Sequence, residues 1–112
     1  MPDVKETTAI KSLLGDFAPK IVELTDNVLF GDIWKRIELS ARDRSLITIA
    51  CLIANKDIEQ LPFHINKGIE NGLTQKEIVE IITHLAFYAG WPKAMSAISI
   101  AKEIFKAKEE KL

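Results

Sequence analysis

Arg44, Thr48, Cys51 and Asn55 follow one another at spacings of four, three and four residues. At about 100° per residue, an α-helix gathers them within about 60°. The stretch that carries them, residues 41–55, is otherwise apolar from Leu46 onward. Its Leu46, Ile47, Ile49, Leu52 and Ile53 point in nearly every direction, which predicts burial on several sides. A polar strip on such a helix lines a pocket or holds a structural ion pair, since a buried guanidinium needs a partner. A second group lies in THLAFYAGWPKA, residues 83–94, where His84 and Tyr88 stand one turn apart. With Glu77 and Glu80 they occupy a sector about 80° wide, beside an apolar stripe of Ile78, Ile82, Leu85 and Ala89. A third pair, His64 and Asn71, edges the apolar face of Leu61, Ile65 and Ile69, and Gly68 there leaves room for a close helix or a ligand. These side chains suit proton transfer and anion binding. Each also has a plain structural reading, as a satisfied core or interface contact.

The elements that must position them read as helices throughout. Thr74 and Glu77 form a T-x-x-E capping box just after Gly72, which suits a helix end. Gly90 and Pro92 mark another stop and start. Ser40 starts a third helix, and Asp57 with Gln60 a weaker fourth, unless that helix begins at Pro62. The pattern predicts helices over about 5–15, 18–35 (loosened by Gly31), 41–55, 58–71, 75–89 and 92–108. Apolar residues recur at three and four rather than two, so the expectation is a compact all-α bundle of about six helices. In the last helix Ala94, Ala97, Ile98, Ala101 and Phe105 share a packing face. Phe87 points away from its own helix's core stripe and predicts a subunit interface.

At 112 residues, residues 1–112 are expected to form a single domain. With 47% apolar and 28% charged residues and a net charge of −1, the chain is neither disordered nor a basic nucleic-acid binder. No apolar run reaches membrane-spanning length, and MPDVKETTAIKS has charges where a signal peptide needs an apolar stretch, so a cytoplasmic protein is expected. The single cysteine, Cys51, excludes an internal disulfide and a CxxC motif. There is no phosphate-binding loop, dinucleotide fingerprint, nucleophile elbow or H-E-x-x-H. His64 and His84 lie on different helices without paired spacing, so no metal is expected.

Taken in order, LFGDIWKR (29–36), LSARDRSLITIA (39–50), His64, NGLT (71–74), EIVEII (77–82) and HLAFYAGWPKAMSA (84–97) resemble the carboxymuconolactone decarboxylase family, within the alkylhydroperoxidase D-like superfamily. The resemblance covers roughly residues 29–105. It implies a small all-α fold that assembles into a ring-shaped homo-oligomer, commonly a hexamer built as a trimer of dimers. One branch of the superfamily reduces peroxides through a CxxCxxxH motif. Placing that motif's histidine on His64 puts its cysteines at Asp57 and Gln60, which form no thiolate, and leaves Cys51 without a resolving partner. Peroxiredoxin-like chemistry is therefore disfavoured.

The other branch removes carbon dioxide from a carboxylated lactone during aromatic-compound breakdown. The departing electrons flow through the lactone double bond onto its carbonyl oxygen, so the resemblance implies a lyase that needs no cofactor. Such a site needs a cation for the carboxylate, donors for the enolate oxygen and an acid for carbon. Arg44 suits the first role, His64 or His84 the last; Tyr88 could donate a hydrogen bond, and Glu80 could orient His84. Thr48, Cys51, Asn71 and Trp91 are candidate substrate-binding residues. The expected partner is a small-molecule carboxylate, with no nucleic acid and no membrane. The alternatives are a redox enzyme using Cys51 and a non-catalytic oligomer that binds a small ligand.

Overall fold

The computed structural model describes residues 8–110, which are helical with no strand among them. Six α-helices fall into two compact units, divided between Leu39 and Ser40.

In the first unit α1 (Ala9–Leu14) is capped by the Thr8 hydroxyl, which accepts from the Lys11 amide. The unit's α2 spans Pro19–Glu23, with Pro19 at a first-turn position where a missing N–H costs nothing. The expected single helix over 18–35 is not one helix. After Glu23 the backbone widens into a π-helical stretch, Leu24–Leu29, closed by the Phe30 amide donating to the Thr25 carbonyl at 3.0 Å. Gly31 follows because nothing larger fits: a Cβ there would stand 2.6 Å from the Asn27 carbonyl oxygen. A short 3₁₀ turn, Ile33–Lys35, ends the segment. Of the expected first helix, residues 5–7 lie outside the described residues.

The second unit is a four-helix arrangement of α3 (Ala41–Ala54), α4 (Leu61–Glu70), α5 (Gln75–Tyr88) and α6 (Trp91–Glu110). Ser40 caps α3 by accepting from the Asp43 amide, and Thr74 and Glu77 form the full reciprocal box on α5. Neither Asp57 nor Gln60 caps α4 through its side chain; that helix begins at Leu61, with Pro62 in its first turn. The end of α4 is a Schellman turn: the Leu73 amide reaches the Gly68 carbonyl and the Gly72 amide that of Ile69, with Gly72 at φ +107°. At the end of α3 the same role falls to Lys56, the one described non-glycine at positive φ (+61°).

Ile49 and Ile53, Leu61 and Ile65, Leu73, Ile78 and Ile82 form the core, closed by Ala94, Ala97 and Ala101 of α6. Those three alanines give α6 a smooth face on which α3, α4 and α5 all pack. Burial of α3 on several sides does not extend to Ile47, which is 52% exposed. No helix among the described residues is long and apolar enough to cross a membrane.

Candidate functional site

On α3 the polar strip forms as expected, and its members have distinct surroundings. Arg44 and Thr48 are half-buried, whereas Cys51 and Asn55 are exposed. The Thr48 hydroxyl donates to the Arg44 carbonyl at 2.8 Å, so its proton is committed to its own helix. The Asn55 amide donates to the Cys51 sulfur at 3.5 Å.

On α4, His64 is half-buried and stands edge-on to the Phe63 ring, with centroids 5.0 Å apart. Burial, and then the Lys67 ammonium, hold its pKa below the ordinary imidazole value of 6.5. The imidazole is therefore neutral at neutral pH. His64, Gly68 and Asn71 fall within about 60° of one another on the helix, and the latter two touch α3 directly. Nε of Arg44 and Nδ1 of His64 are both buried atoms that make no hydrogen bond, although each residue interacts elsewhere.

Asn71, a candidate substrate-binding residue, donates its side-chain amide to Ser45 Oγ at 3.0 Å. Ser45 is wholly buried, the one buried polar side chain among the described residues. The sequence reading passed over it. The signal was present, because Ser45, Ile49 and Ile53 recur every four residues as the buried edge of α3.

Glu80, His84 and Tyr88 run along α5 as a line. The His84 and Tyr88 rings stack at 4.7 Å and 25°, and both residues are exposed, Tyr88 at 79%. Glu80 and His84 edge a hollow of about 360 Å³ whose other side is Leu46 and Ala50 of α3. Helical geometry puts those two residues roughly 160–240° around α3 from Arg44 and Thr48. Within one chain, then, Arg44 and Thr48 lie on a different face of α3 from the one that meets Glu80 and His84, and Ser45 and Ile49, which meet α4, lie about 100–140° around α3 from Arg44. Trp91 belongs to none of these pairs. It is 60% exposed, packs edge-on to Phe87 at 6.1 Å, and lines a groove of about 130 Å³ between α5 and α6 with Met95.

Arg42 was also passed over. Its guanidinium pairs with the Glu77 carboxylate, joining the first turns of α3 and α5. The Thr74 backbone amide chiefly, and then Arg42, hold the Glu77 pKa below the ordinary carboxylate value. No cluster of three or more metal-ligating side chains exists among the described residues.

The family model for the carboxymuconolactone decarboxylase family matches residues 19–103. The 4-carboxymuconolactone decarboxylase of Acinetobacter baylyi is 36% identical over 93 residues, covering 83% of this chain and 69% of that protein. The nitrosuccinic acid decarboxylase of Metarhizium robertsii is 33% identical over 81 residues, covering 72% of this chain and 57% of its relative. The match runs through α2 to α6 and takes in both groups of candidate residues. By sequence and by all-helical architecture, the chain belongs to the carboxymuconolactone decarboxylase family.

Proposed function

We propose that the protein is a decarboxylase that works without a cofactor on a small carboxylated lactone or a closely similar activated acid. The kinship supports a decarboxylase. The two relatives' names describe acids that carry an electron-accepting group, a lactone carbonyl in one and a nitro group in the other. The observation that carries the reading to particular residues is a half-buried guanidinium on α3 and a half-buried, neutral imidazole on the side of α4 that turns to α3.

In the proposed reaction the Arg44 fork holds a substrate carboxylate. The bond from carbon to the departing carboxylate breaks, and its electron pair becomes a new carbon–carbon double bond. The original double bond shifts toward the carbonyl, whose oxygen takes the charge. The enolate collapses as the carbon beside the carbonyl takes a proton, so the net change is one proton consumed and one carbon dioxide released. His64 is the proposed proton donor. Its depressed pKa makes the imidazolium a stronger acid, and an anionic substrate placed beside it favours the protonated form.

Glu80, His84 and Tyr88 enter this scheme only through a second copy, since one chain places them across α3 from Arg44. Exposure of Phe87 (78%), Tyr88 and Trp91 favours such a homo-oligomer, for which the proposed form is a hexameric trimer of dimers in the cytoplasm. The family match crosses both units, which supports reading residues 1–112 as one functional domain. Cys51 offers no support for peroxide reduction: it is the chain's one cysteine, and Asp57 and Gln60 stand where the thiol motif needs sulfur.

The test is carbon dioxide release from 4-carboxymuconolactone by wild type, Arg44→Lys and Arg44→Ala. Release by wild type, a large loss in Arg44→Ala and only partial retention in Arg44→Lys are expected. Folded wild type that consumes none, or an unaffected Arg44→Ala, overturns the reading in favour of a ligand-binding oligomer.

A further inference from the structure

The contact between α3 and α4 holds a polar pair that the proposed chemistry does not use. Ser45 Oγ, with no exposed surface, accepts from Asn71 Nδ2 across the two helices at 3.0 Å. Asn71 is itself held still, because it is the C-cap of α4 and the Schellman turn on Gly72 and Leu73 fixes its backbone. One turn away Gly68 lets the helices close: a Cβ there would stand 3.1 Å from Ile49 Cδ1 and 3.6 Å from Ser45 Cβ.

Apolar contacts such as Ile49 against Gly68 are attractive over a range of rotations and slides. A hydrogen bond between buried groups is directional, and it costs most when displaced. Slipping a helix by one residue moves each side chain by about 1.5 Å along the axis and 100° around it. Such a slip would break the Ser45–Asn71 bond outright. The bond lies at the Arg44 end of the α3–α4 contact, and by fixing the register of the two helices it fixes the placement of His64 further along. Ser45 is the immediate neighbour of Arg44, and Asn71 shares a face of α4 with His64, about two turns or about 10 Å along the helix.

We propose that Ser45 and Asn71 are a positioning pair that sets the separation of Arg44 and His64, and so the distance from an anchored substrate carboxylate to the proton donor. This rests on the reading that Arg44 and His64 meet the substrate. Neither member of the pair touches substrate in this proposal; Ser45 acts through Arg44, and Asn71 through the register of α4. A displacement of about 1 Å in such an arrangement lowers the rate by up to about 100-fold.

The test uses full-length protein with Ser45→Ala, which removes the acceptor, and Ser45→Thr, which keeps a hydroxyl. Two readouts are taken at a temperature where circular dichroism shows each variant fully folded: steady-state constants for decarboxylation of the carboxylated lactone, and NMR titration of the two histidines. Ser45→Ala is expected to lower kcat/KM by about 10–100-fold and to move the His64 titration while leaving that of His84 in place. Ser45→Thr is expected to restore both toward wild type. A merely structural role would change the melting temperature alone. Wild-type kinetic constants in folded Ser45→Ala, or an unmoved His64 titration, overturn the proposal. If wild type itself releases no carbon dioxide, the decarboxylase reading fails instead, and the His64 titration alone decides the positioning role.

Discussion

Gly68→Ala is a substitution that an isolated helix would welcome and this one should resist. In an open helix interior, alanine is favoured over glycine by about 0.8–1.0 kcal/mol. Here the new methyl would stand 2.9 Å from Leu73 Cδ1 and 3.1 Å from Ile49 Cδ1, where carbon atoms prefer about 3.5–4.0 Å. Ile49 has no exposed surface and Leu73 only 3%, so neither has free space to retreat into. Overpacking of this kind costs about 1–3 kcal/mol. Set against the propensity gain, the net effect is a loss of about 1 kcal/mol. Ile49→Val removes Cδ1, the atom in the way, and alone costs about 0.5–1.5 kcal/mol. The double variant should therefore lose less than the two single losses combined, by about 0.5 kcal/mol or more. Urea unfolding followed by far-UV circular dichroism measures all four corners of the cycle, with the slope on denaturant unchanged. Stabilisation by Gly68→Ala, or strict additivity in the cycle, would refute the tight α3–α4 approach on which the proposed Arg44–His64 arrangement depends.

Thr74→Ala removes half of the α5 capping box and is expected to cost about 1 kcal/mol, read as a lowered melting temperature. Lys56→Gly should stabilise by up to about 1 kcal/mol, because a left-handed residue with a side chain is replaced by one that tolerates φ +61°; unchanged denaturant midpoints would count against it. The depressed pKa of His64 favours neutral imidazole in the folded state, so it costs stability as pH falls below the unfolded value of 6.5 and the cost levels off below the folded pKa. His64→Asn should flatten that part of a stability-versus-pH curve. Phe87→Asp is expected to shift the protein to a smaller species in sedimentation, and an unchanged sedimentation coefficient would remove Phe87 from any subunit contact.

Much of the framework was legible because it is written in local chemistry. The Thr74–Glu77 box, the Ser40 cap and the stops at Gly72 and Gly90 depend on residues within a few positions of one another, and all are found where the sequence places them. The alanine face of α6 was legible for a similar reason, since periodicity alone marks it. The Leu24–Leu29 π stretch was not: nothing in its composition distinguishes it from an α-helix, and Gly31 signals only where the chain must leave. Contacts between helices were the other gap. The Asn71–Ser45 bond was not legible, because spacing shows which face a side chain takes but not what it meets there. For the same reason, grouping His84 with Arg44 required knowing which side of α3 receives α5.

The most direct measurement of the central claim is decarboxylation in deuterated water by wild type and His64→Ala, with released carbon dioxide and the product's deuterium content followed together. The account predicts carbon dioxide in step with product that carries deuterium on the carbon beside the carbonyl, and loss of both in His64→Ala. Carbon dioxide release by His64→Ala at the wild-type rate would contradict it.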